Sequence, residues 1–226
     1  MIPQRIAAVL VTQTHHIFSH VGSNNLYANF SKYYWSPKLK QMCHRFCSTC
    51  TICLERKSLS RKNQALVLNR ARKPFEKVFI DVAGPFEEDH GYKYIFVMID
   101  FFSNYPLVVP LKSLTSGEIT KMMFEKWITY FRAPVQIHSD NALYFRSSET
   151  EAFLKQYNIK HSLSAPYHPQ SNGKVERLMR TMKDMIYSTM KEKRVSWVQS
   201  LAKVNISLRC CIHGCLLYTS PSPRDS

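Results

Sequence analysis

From Pro74 onward the chain alternates strand-like and helix-like patterns, which restricts this part to an α/β sheet flanked by helices. Segments 77–83, 93–101 and 106–111 are rich in Val, Ile, Phe and Tyr and are divided by Gly91 and the Ser103-Asn104 pair, so they predict three successive strands. A helix is expected over 115–131, with Ile119, Met122, Met123 and Trp127 on one side. A short strand at 135–138 follows, then a helix at 148–157 opened by Ser148-Glu-Thr-Glu151 as a capping box, and a last strand at 160–164. The pattern closes with a long helix from about 172 to 191, whose stripe of Val175, Leu178, Met179, Met182, Met185 and Ile186 turns inward and leaves Glu176 facing away from it.

The first 73 residues differ in charge. They carry twelve Lys and Arg against the single acid Glu55, or +11 of a total of +15, while the rest of the chain carries nineteen against fifteen. Such a basic module is expected to grip a polyanion, because each neutralised phosphate releases condensed counterions; simple solubility is the alternative, and charge alone does not separate nucleic acid from an anionic membrane surface. A chain of 226 residues that is 45% hydrophobic holds one ordinary domain and a small one. No uncharged run of eighteen apolar residues occurs, and residues 1–14 lack the features of a secretory signal, so a soluble intracellular protein without a membrane partner is expected.

Four of the seven cysteines crowd between Cys43 and Cys53, which fits metal binding in a reducing compartment better than a disulfide scaffold. His16 and His20 are four apart and would share a helix face, and Cys50-Thr-Ile-Cys53 supplies two thiolates. Two imidazoles and two thiolates suit one tetrahedral, structural Zn2+ in a unit too small to hold itself by apolar burial. His15 is an alternative to His16, Cys47-Ser-Thr-Cys50 is an equally spaced rival pair, and Cys43 and His44 are further options.

Three acids stand in distinctive contexts: Asp81 in Val-Phe-Ile-Asp81-Val-Ala-Gly-Pro, Asp140 in Ile-His-Ser-Asp140-Asn-Ala, and Glu176 in Tyr167-His-Pro-Gln-Ser-Asn-Gly-Lys-Val-Glu176-Arg. Thirty-five residues separate the last two. This arrangement resembles a DD(35)E polynucleotidyl transferase, and the chain is similar to integrases of retroviruses and LTR retrotransposons, closest in phrasing to gypsy-type elements. His20-Val-Gly22, Tyr33-Tyr34-Trp35-Ser-Pro-Lys and Cys50-x-x-Cys53-x-x-x-Lys57 resemble the His-His-Cys-Cys domain of that family, and the placing of Lys57 and Trp35 favours Cys50 and Cys53 as the thiolate pair.

The resemblance implies an RNase H-like core, a mixed five-stranded sheet with helices, preceded by a small α-helical zinc-binding domain. The expected divisions are a zinc-binding domain at 1–57, a basic linker at 58–73, a catalytic core at 74–213, and a tail at 214–226 that resembles translated sequencing adaptor, with the native chain continuing into an unseen domain. Asp81, Asp140 and Glu176 would be catalytic and hold two Mg2+ or Mn2+ ions. Tyr167, His168, Gln170 and Asn172, ahead of the last helix, and Arg180 and Lys183, on the face of Glu176, would contact DNA. The activity implied is trimming of the element's DNA ends and their joining to a target duplex, by a homo-oligomer acting on double-stranded DNA in the nucleus. A domesticated relative serving as a DNA- or chromatin-binding protein is the alternative. Asp100, in Asp-Phe-Phe-Ser-Asn-Tyr, is given no catalytic role. Ala142 stands where most of the family has Gly, which would cost stability if the position required positive φ.

Overall fold

The computed structural model describes residues 2–56, 71, 73–163 and 173–210, with side chains of the last segment described from 178. The basic linker, the loop carrying Tyr167, His168, Gln170 and Asn172, the side chain of Glu176 and the tail from 211 lie outside the described residues. The chain divides into two compact units. Unit one comprises the N-terminal helices together with the later chain from Arg180, and unit two is the sheet and its helices up to Met179.

In the sheet unit, β1 (Lys77–Ala83), β2 (Tyr94–Asp100), β3 (Pro106–Leu111), β4 (Gln136–Ser139) and β5 (Lys160–Leu163) form one sheet in the order β3-β2-β1-β4-β5. β2 runs antiparallel to β1 and β3, while β1, β4 and β5 are mutually parallel. This mixed sheet with its helices matches the expected fold class.

Side chains alternate across the strands. Val78 and Ile80 of β1 join Phe96, Met98, Val109 and Leu111 on the face that packs against the helices, and there they meet Ile119, Met123, Trp127, Phe145 and Leu154. Phe79 and Asp81 therefore share the opposite face. The Phe79 ring stacks on Phe101 and meets His138 edge-on.

Two local expectations change. The helix foreseen over 115–131 is α5 (Ser116–Met123), a π-helical turn at Phe124–Ile128 and α6 (Thr129–Phe131). The wider turn accommodates a strict four-residue spacing, in which Ile119, Met123 and Trp127 all stay buried. Helix α7 (Ser148–Gln156) is capped by Ser147 rather than Ser148, since the Ser147 side chain accepts from Thr150 N.

Asp100 is fully buried and holds the β2–β3 turn together. Its carboxylate accepts from Phe75 N (2.8 Å), Ser103 N (2.7 Å) and Ser103 Oγ (2.5 Å), which commits its lone pairs to structure.

The helical unit contains α1 (Gln4–Ile17), α2 (Ser23–Phe30), α3 (Leu39–Thr49), α4 (Thr51–Arg56), the Arg180–Lys193 part of α8 (Gly173–Lys193), and α9 (Trp197–Cys210). Its buried residues include Ala7, Val11, Leu26, Phe30 and Leu39, with Met182, Met185 and Ile186 on α8 and Trp197, Leu201, Val204 and Leu208 on α9. Among the described residues no helix is long and apolar enough to cross a membrane.

Candidate catalytic carboxylates and zinc centre

Asp81 lies in the central strand, and Asp140 follows directly on β4. The β1–β4 register pairs Val78 with Ile137 and Phe79 with His138, so continuing it by two residues sets Asp140 level with Asp81. Both carboxylates thus come to one end of adjacent parallel strands, beside the point where the sheet order reverses direction. That is where open α/β sheets bind ligands.

Asp81 is half-buried and accepts from Val82 N at 2.7 Å. Asp140 is exposed. Its Oδ1 accepts from Ala142 N at 3.1 Å, while its main-chain carbonyl accepts from Ser139 Oγ at 2.8 Å. Ser139 Oγ is also 2.9 Å from His161 Nε2, and burial lowers the pKa of that imidazole. Ala142 has φ −61°, so the Ala in place of Gly imposes no left-handed strain here.

Tyr144, which the sequence reading missed, senses both acids. Burial pushes its phenol up to about 12, and the negative charges of Asp140 and Asp81 push the same way. No spacing rule singles it out; only the turn after Asp140 folds it back to the carboxylates. Oxygen donors from two aspartates suit a hard divalent cation, which would also relieve their mutual repulsion. Glu176 falls in the first turn of α8, while Arg180 and Lys183 are exposed further along that helix.

In the helical unit His15, His20, Cys50 and Cys53 offer ligand atoms that all lie within 4.8 Å of one another. The nearest separations are 3.0 Å (His15 Nε2 to His20 Nδ1), 3.3 Å (Cys50 Sγ to His20 Nδ1), 3.4 Å (Cys53 Sγ to His15 Nε2) and 3.9 Å (Cys53 Sγ to His20 Nδ1). A zinc tetrahedron with Zn–N of about 2.0–2.1 Å and Zn–S of about 2.3 Å has edges of about 3.3–3.8 Å. The donor set fits zinc in both chemistry and size.

The structure brings His15 rather than His16 into this set, and the cause is local. Ala7, Val11 and His15, spaced by four, form the buried face of α1, and His16 lies about 100° further round the helix. His20 is not on the helix at all. The chain leaves α1 at Ile17, passes through left-handed Ser19 (φ 51°) and His20 (φ 60°), and bonds His20 N to His15 O at 2.9 Å. That reversal carries the His20 ring back to His15, so five-residue spacing replaces the helical four.

Cys47 stands beside the set, with Sγ 3.6 Å from His15 Nδ1 and 3.7 Å from Val21 O. Cys43 is a core thiol whose pKa burial raises to about 11, and His44 is exposed. His16 forms a second group with His20 and Glu192.

Residues 2–59 match the family described as integrase zinc binding domain, and 71–169 and 147–206 match two families described as integrase core domain. The chain belongs to the integrase family. Asp81 and Asp140 fall in the first core match and Glu176 in the second.

Similar proteins include the Pro-Pol polyprotein of feline foamy virus, 32% identical over 91% of this integrase chain and 18% of that protein. The Pro-Pol polyprotein of simian foamy virus type 3 (28% over 88% and 17%) and the transposon Tf2-3 polyprotein of Schizosaccharomyces pombe (28% over 81% and 14%) are also similar. The chain therefore spans less than a fifth of these relatives.

Among solved structures, a simian T-cell lymphotropic virus intasome in complex with PP2A regulatory subunit B56 gamma has a similar fold. Its TM-score is 0.63 at 19% identity, covering 96% of this integrase and 73% of that chain. The HTLV-2 integrase catalytic core domain in complex with magnesium, in trimeric form, gives 0.50 at 27% identity, with 60% and 86% covered.

Proposed function

We propose that this integrase is a polynucleotidyl transferase of a gypsy-type LTR retroelement, trimming the 3′ ends of the element's DNA and joining them to a target duplex. The observation that carries the reading is the level placement of Asp81 and Asp140 across β1 and β4.

Asp81, Asp140 and Glu176 would hold two Mg2+ or Mn2+ ions, whose chemistry when bound is to activate the attacking oxygen and stabilise the leaving one. The two aspartates would supply hard oxygen donors on a fixed sheet end, so little reorganisation would accompany charge build-up at phosphorus. Tyr144 keeps its proton throughout the neutral range and adds no third negative charge beside them. Reaction proceeds by in-line displacement: water or a 3′ hydroxyl forms the new P–O bond as the opposite one breaks, and no covalent enzyme intermediate is needed.

Tyr167, His168, Gln170, Asn172, Arg180 and Lys183 are proposed as DNA contacts, and the basic first 73 residues as a phosphate grip. Similarity to one chain in an intasome and to a core domain in trimeric form supports action as a homo-oligomer on double-stranded DNA. Its substrate would be met in the nucleus. His15, His20, Cys50 and Cys53 would hold one structural Zn2+.

The test is strand joining, or its reversal on a branched oligonucleotide, with Mg2+ or Mn2+. Metal-dependent product that Glu176→Gln abolishes is the expected result. Product undiminished in that variant would overturn the mechanism.

A further inference from the structure

The zinc ligand His20 has a second nitrogen, and that nitrogen meets a carboxylate from the far end of the chain. With Nδ1 turned to Cys50, Cys53 and His15, the Nε2 atom of this fully buried side chain lies 3.4 Å from Glu192 Oε2, on α8. An imidazole bound to metal through Nδ1 keeps its remaining proton on Nε2, and a buried N–H needs an acceptor.

Glu192 is the hub of a small charged group. Its Oε1 is 3.5 Å from His16 Nδ1 and 3.5 Å from Lys193 Nζ, and Lys203 Nζ of α9 donates to its Oε2 at 3.1 Å. His15 differs, since its other nitrogen faces the weakly polar Cys47 Sγ.

The same helices are joined at further points. Thr189 Oγ1 donates to Ser19 Oγ at 3.0 Å, Ser19 Oγ lies 3.0 Å from Ser207 Oγ, and Glu55 pairs with Lys191. All these residues belong to one compact unit.

We infer that Glu192 is the positioning residue for the zinc ligand His20, so that metal binding by α1–α4 and docking of the α8 end and α9 are a single event. This rests on the zinc reading of His15, His20, Cys50 and Cys53. It gives Glu192 a task toward the metal, although it stands about 139 residues after Cys53 and is no ligand.

The experiment uses the whole chain as wild type, Glu192→Ala, Glu192→Gln, Lys203→Met and Cys53→Ser. Zinc content is measured first, then zinc affinity by competition with a chromophoric chelator, then the visible d–d bands of the cobalt(II)-loaded protein. Circular dichroism at saturating zinc reports folding. Wild type should bind one zinc that Cys53→Ser loses. Glu192→Ala should weaken zinc by about 10- to 100-fold and shift the cobalt bands. Glu192→Gln, which keeps the shape and an acceptor, should fall between them and folds more readily. Lys203→Met removes an ion pair without touching the imidazole and should leave affinity and bands near wild type.

Affinity and bands unchanged in both Glu192 variants, with wild type binding zinc, would overturn the inference while sparing the zinc reading. A wild type without zinc would overturn both. Two zinc ions per chain, the second lost in Glu192→Ala, would make Glu192 a ligand with His16 and His20 and equally overturn the positioning role.

Discussion

The sheet unit and the helical unit reach order by different means. Among the described residues of the sheet unit thirteen buried apolar side chains form one cluster, and the strands hydrogen-bond through a continuous five-strand ladder. The centre of the helical unit's first four helices is a polar set, His15, His20, Cys50 and Cys53, for which apolar burial offers no substitute. Both units remove apolar area from water, and on the proposed zinc reading the first four helices add ligands converging on a point. On that reading only the helical unit would depend on an ion for its order.

The largest effect should come from removing that ion. Chelation, or Cys53→Ser, should abolish the slow amide exchange of α1–α4, since structural zinc supplies an apparent ~10–16 kcal/mol in zinc-finger peptides. Amides of β1, β2 and β4 should keep their protection, and hydrogen exchange followed by mass spectrometry reads both at once. Equal loss in the two units would erase the contrast.

Next comes a cavity in the sheet unit. Phe96 is fully buried in the core cluster, and Phe96→Ala should cost about 3–5 kcal/mol, read as a lowered urea midpoint at saturating zinc. Zinc affinity should not change. A fall in zinc affinity would mean that the two kinds of order are not separable.

The smallest effect is electrostatic. Burial alone would raise the Glu118 pKa, but hydrogen bonds from Ser113 Oγ, Lys112 N and Ser113 N outweigh it, and the pKa is lowered. A lowered folded pKa means that the unfolded chain takes up protons first as pH falls. The contribution is therefore complete above the ordinary value of 4.5 and is lost as pH drops through the folded one. Glu118→Gln should be less stable than wild type near neutrality, with the gap narrowing as pH falls below 4.5, as denaturation across that range would reveal. A gap independent of pH would show that Glu118 acts through shape alone.

Regular elements of the sheet unit were legible because their periods are short and local. Strands at Lys77–Ala83 and Pro106–Leu111 lie where Val, Ile and Leu cluster between turns, and α8 follows its Leu178–Met179–Met182–Met185–Ile186 stripe. Failures came where one residue of register mattered. Ser147 and Ser148 are both competent caps, and only the approach of Thr150 N selects the first. Helix α9 was not foreseen, because its buried face mixes Ser200 and Ser207 with Leu201, Val204 and Leu208 and so lacks a clear apolar stripe.

What the chain determined by itself is the inventory and its order: three acids in distinctive strings, a basic first third, imidazoles before thiolates, and three strands ahead of alternating helix and strand. Composition and short-range periodicity suffice for that, since both are properties of neighbours in sequence. Tertiary structure decided which residues meet. The reversal at Ser19 and His20 chose His15 over His16, parallel pairing of β1 with β4 set Asp140 beside Asp81, and packing of α8 brought Glu192 to the back of His20. Each is a meeting of residues from 5 to 172 positions apart, fixed by backbone direction and burial that no local pattern encodes.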